Sequence, residues 1–292
     1  MRIATMTSLF REQRGREDSI SYIESIKRCN AAGFNVLDFN MCAMLHKKTE
    51  LNSKDWRKQA DRIREEAEKL GIEFAQSHPP YRPSMQGSFK TEEEEEFFAD
   101  ITRRSIIISS MLGVKWAVMH PVTECENIEY NMDANLAHNH RMFDAFVELA
   151  MKENVGIAFE NMADRDRRRR FGTSASELIA LVESYGDKNI GVCWDTGHGN
   201  RVYEDPVRPI RELGKRIKAL HINDNHGDID EHLLPFEGTL AWEEIMKALK
   251  EIEYEGDLVY EIRLNNNMPD ALKDVSAQYA AEVGHYLLSL CK

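Results

Sequence analysis

The amino-acid sequence predicts a single (β/α)8 barrel, the TIM-barrel class of α/β folds. Three observations predict it: eight short apolar segments alternate with eight longer amphipathic ones, the chain has 292 residues, and no Gly-rich phosphate-binding turn follows an early strand. A doubly wound sheet usually carries such a turn, so the barrel is favoured. No linker-like stretch separates the segments, and we therefore expect one domain over residues 1–292.

The strands are predicted where short apolar runs stand between turn-forming residues. We expect them at residues 2–6, 35–39, 73–77, 115–119, 156–160, 190–194, 217–222 and 258–262. Helices are expected near residues 18–32, 53–70, 92–112, 133–153, 173–185, 203–215, 239–253 and 270–289.

Several of these helices carry start and stop signals. Thr91 precedes five glutamates, which places acid in a first turn where the helix dipole favours it. The segment GTSASEL, which begins at Gly172, offers Ser or Thr caps with Glu177 close behind. Glycines stand where four helices are expected to end, at positions 33, 71, 113 and 186.

The composition is that of a well-packed globular protein, and its net charge of -12 argues against a nucleic-acid or anionic-membrane partner. The first residues lack the apolar region of a signal peptide, no run approaches the length of a membrane span, and the five cysteines are scattered. We expect a cytoplasmic protein with reduced thiols. The basic run DRDRRRRF, residues 164–171, favours a solvated loop over an anion site.

Polar side chains stand at the carboxyl ends of the predicted strands, where barrels of this class build their active sites. A lone Asp after a strand usually caps the next helix, and a lone His is usually a hydrogen-bonded bystander. Here, however, a polar side chain stands at the end of nearly every predicted strand. In chain order the residues are Asp38, Asn40, His78, His120, Glu160, Asp195, His198, His221 and Glu261.

Strand alternation tests this interpretation, because residues two apart share one face of a strand. Small or slim residues stand beneath the polar ends, where a ligand needs room, and bulky residues occupy the opposite face. The same parity directs Trp116 inward, where it is expected to floor the pocket. The inward set is Ala158, Gly191, Cys193, Ala219 and Val259, and the outward set is Ile157, Phe159, Val192, Trp194, Leu220 and Tyr260.

Four consecutive strands therefore aim Glu160, Asp195, His221 and Glu261 at the barrel mouth. Three carboxylates this close cannot all remain ionised without a cation. The sequence predicts one divalent metal ion held by these four residues. Oxygen and imidazole ligands suit Mn²⁺, Zn²⁺, Co²⁺ or Mg²⁺, and the ligand types do not choose among them.

Other polar residues near the mouth keep two interpretations each. His198 either contacts substrate or metal, or orients another ligand. His78 and His120 either contact substrate or make structural hydrogen bonds at the rim. Asp230 and His232 lie in a long connection, residues 221–238, and are possible additional metal ligands or solvated loop residues.

Five motifs together resemble the xylose-isomerase-like barrels, which include sugar isomerases, ketose 3-epimerases and type IV apurinic endonucleases. They are FEN at 159–161, WDTGH at 194–198, HINDN at 221–225, EHLLPFEG at 231–238 and YEI at 260–262. The resemblance covers nearly the whole chain. It carries a strong expectation for the fold and a weak one for the substrate.

In the epimerase branch, the resemblance implies that the four predicted ligands hold one divalent ion and that Glu160 and Glu261 also serve as catalytic acid and base. A metal that chelates a ketose carbonyl and the adjacent hydroxyl stabilises the enediolate formed on proton removal. Reprotonation on the opposite face gives an epimer, and reprotonation at the neighbouring carbon gives an isomer. Substrate contacts are expected from His78, His120, His198 and Arg263.

In the endonuclease branch, the resemblance implies nine ligands around three zinc ions. All nine have counterparts here: His78, His120, Glu160, Asp195, His198, His221, Asp230, His232 and Glu261. Tyr81 matches a position that grips DNA in those enzymes. Such a cluster would activate a hydroxide and neutralise a phosphodiester leaving group.

Three features favour the sugar branch. The composition is acidic, and the loop after the second strand lacks an Arg-rich or aromatic wedge for bending DNA. The segment DTGHGNRVYED also departs from the sequence that is usual in the endonucleases. The sequence thus predicts a metal-dependent isomerase or epimerase acting on a sugar or sugar phosphate. An abasic-DNA phosphodiesterase is the alternative, and a metal-binding barrel that serves as a non-catalytic partner subunit is another. The sugar, the metal and a homo-oligomeric state stay open.

Overall fold

Eight parallel β-strands form the wall of a (β/α)8 barrel, which confirms the predicted fold class. The computed structural model describes residues 1–11, 20–46, 49–81, 91–124, 129–164, 169–265 and 267–291. Within these ranges the strands are β1 Ile3–Met6, β2 Val36–Asn40, β3 Glu73–His78, β4 Trp116–Met119, β5 Gly156–Glu160, β6 Ile190–Asp195, β7 Ile217–His221 and β8 Leu258–Tyr260.

The strands follow one another around the barrel in chain order. The sheet runs from β7 back to β1, and β1 pairs with β8. Just beyond β7, the backbone N–H of Ile222 donates to Val259 O at 2.7 Å, and the N–H of Glu261 donates to Ile222 O at 3.0 Å. These two hydrogen bonds bring the last strand against the seventh. All eight carboxyl ends therefore meet at one mouth.

Helices cover the barrel wall, and their predicted caps are present. Thr91 Oγ1 accepts from Glu94 N, and Ser174 forms a capping box with Glu177. All four predicted helix-end glycines have positive φ, a conformation that costs glycine little. The helices are α1 Tyr22–Ala31, α2 Trp56–Leu70, α3 Glu92–Met111, α4 Met132–Lys152, α5 Ala175–Tyr185, α6 Thr196–Val202, α7 Arg208–Leu213, α8 Trp242–Glu251 and α9 Asp270–Ser289.

The structure differs from the predicted boundaries at two places that shape the site. The helix predicted at 203–215 is instead the short α7, and another short helix, α6, lies before it. α6 begins directly after Asp195, and Pro206 lies between α6 and α7, where it disfavours a continuous helix. The eighth strand ends at Tyr260, so Glu261 follows the strand rather than lying within it.

The predicted division between inward and outward side chains is confirmed. Inside the barrel, Val118, Ala158, Cys193 and Ala219 form one small cluster with Trp116, and Ala4, Val36 and Val259 form another. The bulky outward residues join a large core between sheet and helices. Among the described residues, no helix has the length and apolar character needed to cross a bilayer.

Candidate metal centre

Glu160, Asp195, His221 and Glu261 converge at the carboxyl end of the barrel. One ligand atom from each lies within 4.8 Å of the others. His221 Nδ1 is 3.2 Å from Glu160 Oε2 and 3.1 Å from Glu261 Oε2. The first three residues end β5, β6 and β7, and the fourth follows β8, so four consecutive strands supply the group. Three oxygen donors and one imidazole are a donor set that divalent ions accept.

Burial makes this group unusual, because Glu160, Asp195 and His221 are at most 1% exposed. Within the described residues, neither carboxylate oxygen of Glu160 and neither ring nitrogen of His221 makes a hydrogen bond of normal geometry, although His120 Nε2 and His221 Nδ1 lie 3.0 and 3.2 Å from Glu160 Oε2. Buried polar atoms without partners are costly, and native structures rarely leave several of them together. A cation bound between these atoms would satisfy them. The residues present therefore fit a metal ion.

Asp195 combines a structural role with its place in the group. Its Oδ1 accepts from the backbone N–H of His198 at 2.6 Å and caps α6, while its Oδ2 accepts from Asn223 Nδ2 at 2.7 Å. Asn161 holds the Asp195 backbone through its side-chain amide, at 2.5 and 2.9 Å. A Cβ at Gly197 would lie 1.9 Å from Asn223 Oδ1, so glycine is required there. Asp195 thus caps the helix that follows it, and its carboxylate also lies in the group of four predicted ligands.

The titration behaviour of the carboxylates follows from burial and charge. Burial raises the pKa of Asp195 to about 7. Burial also acts to raise the pKa of Glu160, but the charges of His221 and His120 outweigh it and hold that pKa well below its usual value. The pKa of Glu261 falls to about 2 because His221 likewise outweighs burial.

A second group shares Glu160 with the first. His78 Nε2 and His120 Nε2 lie 3.6 and 3.0 Å from Glu160 Oε2, and 3.1 Å from each other. His78 Nδ1 donates to Pro79 O at 2.9 Å, which leaves the Nε2 lone pair facing the group. The ring of Tyr81 stacks on His120, with centroids 4.8 Å apart. His78, His120 and Glu160 form another triplet that could hold an ion.

The long connection after β7 brings Asp230 and His232 to the same mouth. His232 Nε2 is 2.9 Å from Asp230 Oδ2, and His198 Nε2 is 3.9 Å from Asp230 Oδ1. His232 Nδ1 donates to Glu261 O at 2.7 Å. Burial lowers the pKa of His232, but Asp230 outweighs it and raises that pKa to about 9. Arg263 is exposed, and its charge contributes to lowering the pKa of Asp230.

Some residues singled out in the sequence lie elsewhere. Trp116 points inward but stands at the amino-terminal end of β4, so it does not floor the pocket at the opposite end of the barrel. Asn40 accepts from the Cys42 backbone instead of joining the group. In the basic run, Arg167 and Arg168 lie outside the described residues, and Arg169 pairs with Glu177 at 2.7 Å.

Several contributors were not assigned a role from the sequence. Asn161 and Asn223 hold Asp195. Their presence in the motifs FEN and HINDN was the only sign in the sequence that these two residues belong to the site. Cys42 Sγ lies 3.4 Å from His78 Nδ1. Gln76 donates to Asp38 at 2.8 Å. Side chains that hold a ligand in place carry no charge pattern of their own, so sequence inspection passes over them.

Asp224 organises the connection that carries Asp230 and His232. This fully buried carboxylate accepts from the backbone N–H groups of Phe236 and Leu240 at 3.1 and 3.2 Å, and from Trp242 Nε1 at 2.8 Å. A Cβ at position 238 would lie 2.3 Å from Asp224 Oδ1, which explains the glycine there. One side chain thereby fixes both ends of the loop.

Known proteins share this fold. Residues 26–281 match the model of the family described as Xylose isomerase-like TIM barrel. A solved structure titled D-tagatose 3-epimerase-like protein superposes with a TM-score of 0.77 and 23% identity, covering 100% of this chain and 98% of that one. At this identity, the likeness establishes the fold.

The curated relatives include an epimerase and a probable endonuclease. D-psicose 3-epimerase of Enterocloster bolteae is 32% identical over 88 residues, which is 30% of this chain and 28% of that protein. A probable endonuclease 4 of Staphylococcus carnosus is 25% identical over 179 residues, which is 58% of this chain and 57% of that protein. The matched part of the chain covers 51% of the length of a third curated relative and 66% of the length of a fourth.

Proposed function

The chain belongs to the xylose isomerase-like TIM barrel family, and from this premise we propose that it is a divalent-metal-dependent isomerase or epimerase of a sugar or sugar phosphate. The observation that carries the proposal is the group formed by Glu160, Asp195, His221 and Glu261. It combines two glutamates with an aspartate and an imidazole at one buried point, and its central atoms lack partners within the described residues.

The bound ion would supply Lewis-acid polarisation of a substrate carbonyl. Proton transfer would then fall to Glu160 and Glu261, whose Oε2 atoms both lie within 3.2 Å of His221 Nδ1 and so approach the same point. One glutamate takes the proton from the carbon next to the carbonyl, and the other returns a proton. Return to the opposite face gives an epimer, and return at the neighbouring carbon gives an isomer.

The residues around this point suit a polyhydroxylated substrate. His198 presents Nε2 toward the mouth, because its Nδ1 donates to Asn161 O at 2.8 Å. His78 and His120 stand on the β3 and β4 side, and the exposed Arg263 stands near Asp230. Imidazole and guanidinium groups bind hydroxyl or phosphate oxygens. The epimerase names among the relatives and solved structures support a sugar substrate.

Metal content and exchange chemistry test the proposal together. Protein purified without added metal is expected to carry about one divalent ion per chain by mass spectrometry, and Glu160→Gln is expected to lose it. Glu177→Gln is the matched control, because Glu177 is equally buried but caps α5 away from the site. Turnover of a ketose in deuterated water should place deuterium on the reacting carbon. Turnover without deuterium uptake would contradict proton transfer by two glutamates that exchange protons with solvent.

A second candidate is a zinc-dependent phosphodiesterase acting on abasic DNA. It is favoured by the triplet of His78, His120 and Glu160 beside the first group, and by the cluster of His198, Asp230 and His232. The relative named probable endonuclease 4 supports it. About three zinc ions per chain, with cleavage of an abasic oligonucleotide, would replace the sugar proposal. A filled site that turns over neither substrate class would indicate a non-catalytic barrel.

A further inference from the structure

His221 differs from three other histidines of the site in how its ring is held. In His78, His198 and His232, Nδ1 donates to a backbone carbonyl at 2.7 to 2.9 Å, which leaves Nε2 for the cluster. His221 is reversed, because its Nδ1 faces Glu160 and Glu261. A carbonyl therefore does not select its tautomer.

The group facing His221 Nε2 is the carboxylate of Asp38. Asp38 Oδ2 lies 3.5 Å from His221 Nε2, at the outer limit of a hydrogen bond, and both side chains are fully buried. Within the described residues, Asp38 Oδ1 has no hydrogen-bond partner. A buried carboxylate held by so few partners costs free energy, so its position calls for a reason beyond packing.

Gln76 holds this carboxylate in place. Its Nε2 donates to Asp38 Oδ2 at 2.8 Å and to Leu220 O at 3.2 Å, which is the carbonyl just before His221. A bulge between β2 and β3 shifts the register so that Gln76, instead of Ala75, pairs with Asp38. One amide thus ties β2 and β3 to β7. Gln76 thereby holds the Asp38 carboxylate close to the imidazole of His221.

Resting on the proposed metal-dependent function, we propose that Asp38 is a positioning residue that selects the Nε2–H tautomer of His221, so that the Nδ1 lone pair faces the space between Glu160 and Glu261. A ligating histidine commonly donates its other ring N–H to a carboxylate, which fixes the ring and strengthens the ligand. The stacked ring of His78, 5.4 Å away and tilted by 7°, restrains the plane of His221 but does not choose its tautomer.

The test is a graded series at Asp38 with metal affinity as the first readout. Asp38→Asn keeps the shape but weakens the acceptor, and we expect Zn²⁺ or Co²⁺ affinity, measured against a competing chelator, to fall about 10-fold. Asp38→Ala removes the acceptor, with an expected fall of about 100-fold. Glu177→Gln, a buried carboxylate-to-amide change outside the site, should leave the affinity unchanged even where it lowers stability.

The second readout is the tautomer itself. In ¹H–¹⁵N spectra of the Zn²⁺-loaded chain, His221 is expected to carry its proton on Nε2, and Asp38→Ala should lose or broaden that signal. Unchanged affinity and unchanged signals in both variants would overturn the role of Asp38 while leaving the metal site standing.

If the wild-type chain binds no divalent ion, the proposed function fails separately. The signals of the metal-free chain, recorded where the imidazole is neutral, then decide the role of Asp38 alone. Nε2–H in the wild type and its loss in Asp38→Ala would support the role, and identical signals would overturn it.

Discussion

The two ends of the barrel satisfy their charged groups in different ways. At the amino-terminal end, Arg2 pairs with Glu73 at 2.6 Å and with Asp257 at 2.9 Å, and Lys215 pairs with Glu253. Apart from Asp257, these groups are largely exposed, and they surround a cavity of about 670 Å³. At the carboxyl end, Asp38, Glu160 and Asp195 are buried and, within the described residues, several of the polar atoms there lack partners.

This difference shows where the fold tolerates unfavourable electrostatics. An exposed ion pair contributes little and can be lost cheaply, whereas a buried carboxylate without a cation is costly to fold. A chain keeps such a cluster when a ligand completes it. The comparison therefore predicts large functional effects at the carboxyl end and small stability effects at the amino-terminal end.

Glu261→Gln should produce the largest effect. The amide cannot accept a proton from carbon, so we expect kcat for a ketose substrate to fall by roughly 10²- to 10⁴-fold. Steady-state kinetics with metal in excess measures this, because excess metal separates lost proton transfer from weakened binding. Glu255→Gln, which lies beside the amino-terminal cavity, is the control and should turn over at the wild-type rate. Equal rates for the two variants would remove Glu261 from the chemistry.

Asp224→Asn should produce the next largest effect, on stability. The amide can replace only part of the acceptor capacity that serves Phe236, Leu240 and Trp242, so the free energy of unfolding should fall by about 3 kcal/mol. Urea denaturation followed by circular dichroism measures it. Asp228→Asn, an exposed position on the same loop, should change the value by less than about 0.5 kcal/mol. A loss of similar size at both positions would contradict the anchoring role of Asp224.

The sequence predicts those features of the structure that follow the regular alternation of side chains along a strand, and it misses those that break this alternation. Strand alternation correctly placed Ala158, Cys193 and Ala219 inside the barrel, because the side-chain period of two is local. It also brought Glu160 and His221 to one mouth. By contrast, the bulge that sets Gln76 opposite Asp38 breaks the period, and the sequence pattern contains no sign of it.

Glycine-to-alanine substitutions compare the two ends of the barrel at matched positions. A Cβ at Gly197 would lie 1.9 Å from Asn223 Oδ1, so Gly197→Ala should cost about 1–3 kcal/mol and also move the amide that holds Asp195. A Cβ at Gly156 would lie 2.4 Å from the Trp116 ring, at the other end. Gly156→Ala should cost a similar amount but leave metal affinity intact. Thermal melting and chelator competition on both variants would show whether metal affinity separates from stability.

Arg2→Ala should have the smallest effect, even though Arg2 pairs with two carboxylates, Glu73 and Asp257. The side chain is 50% exposed, and its partner Glu73 is 69% exposed, so solvent screens both charges. Asp257 is more buried at 11%, and its lost partner accounts for most of an expected cost of about 1 kcal/mol or less. Urea titration at low and at high salt measures it, and the difference from wild type should shrink as salt rises. Metal affinity and kcat should stay at wild-type values, because a charge at the amino-terminal end is separated from the metal centre by the packed interior of the barrel. A loss of metal affinity in this variant would mean that the two ends are coupled, and the contrast between them would no longer hold.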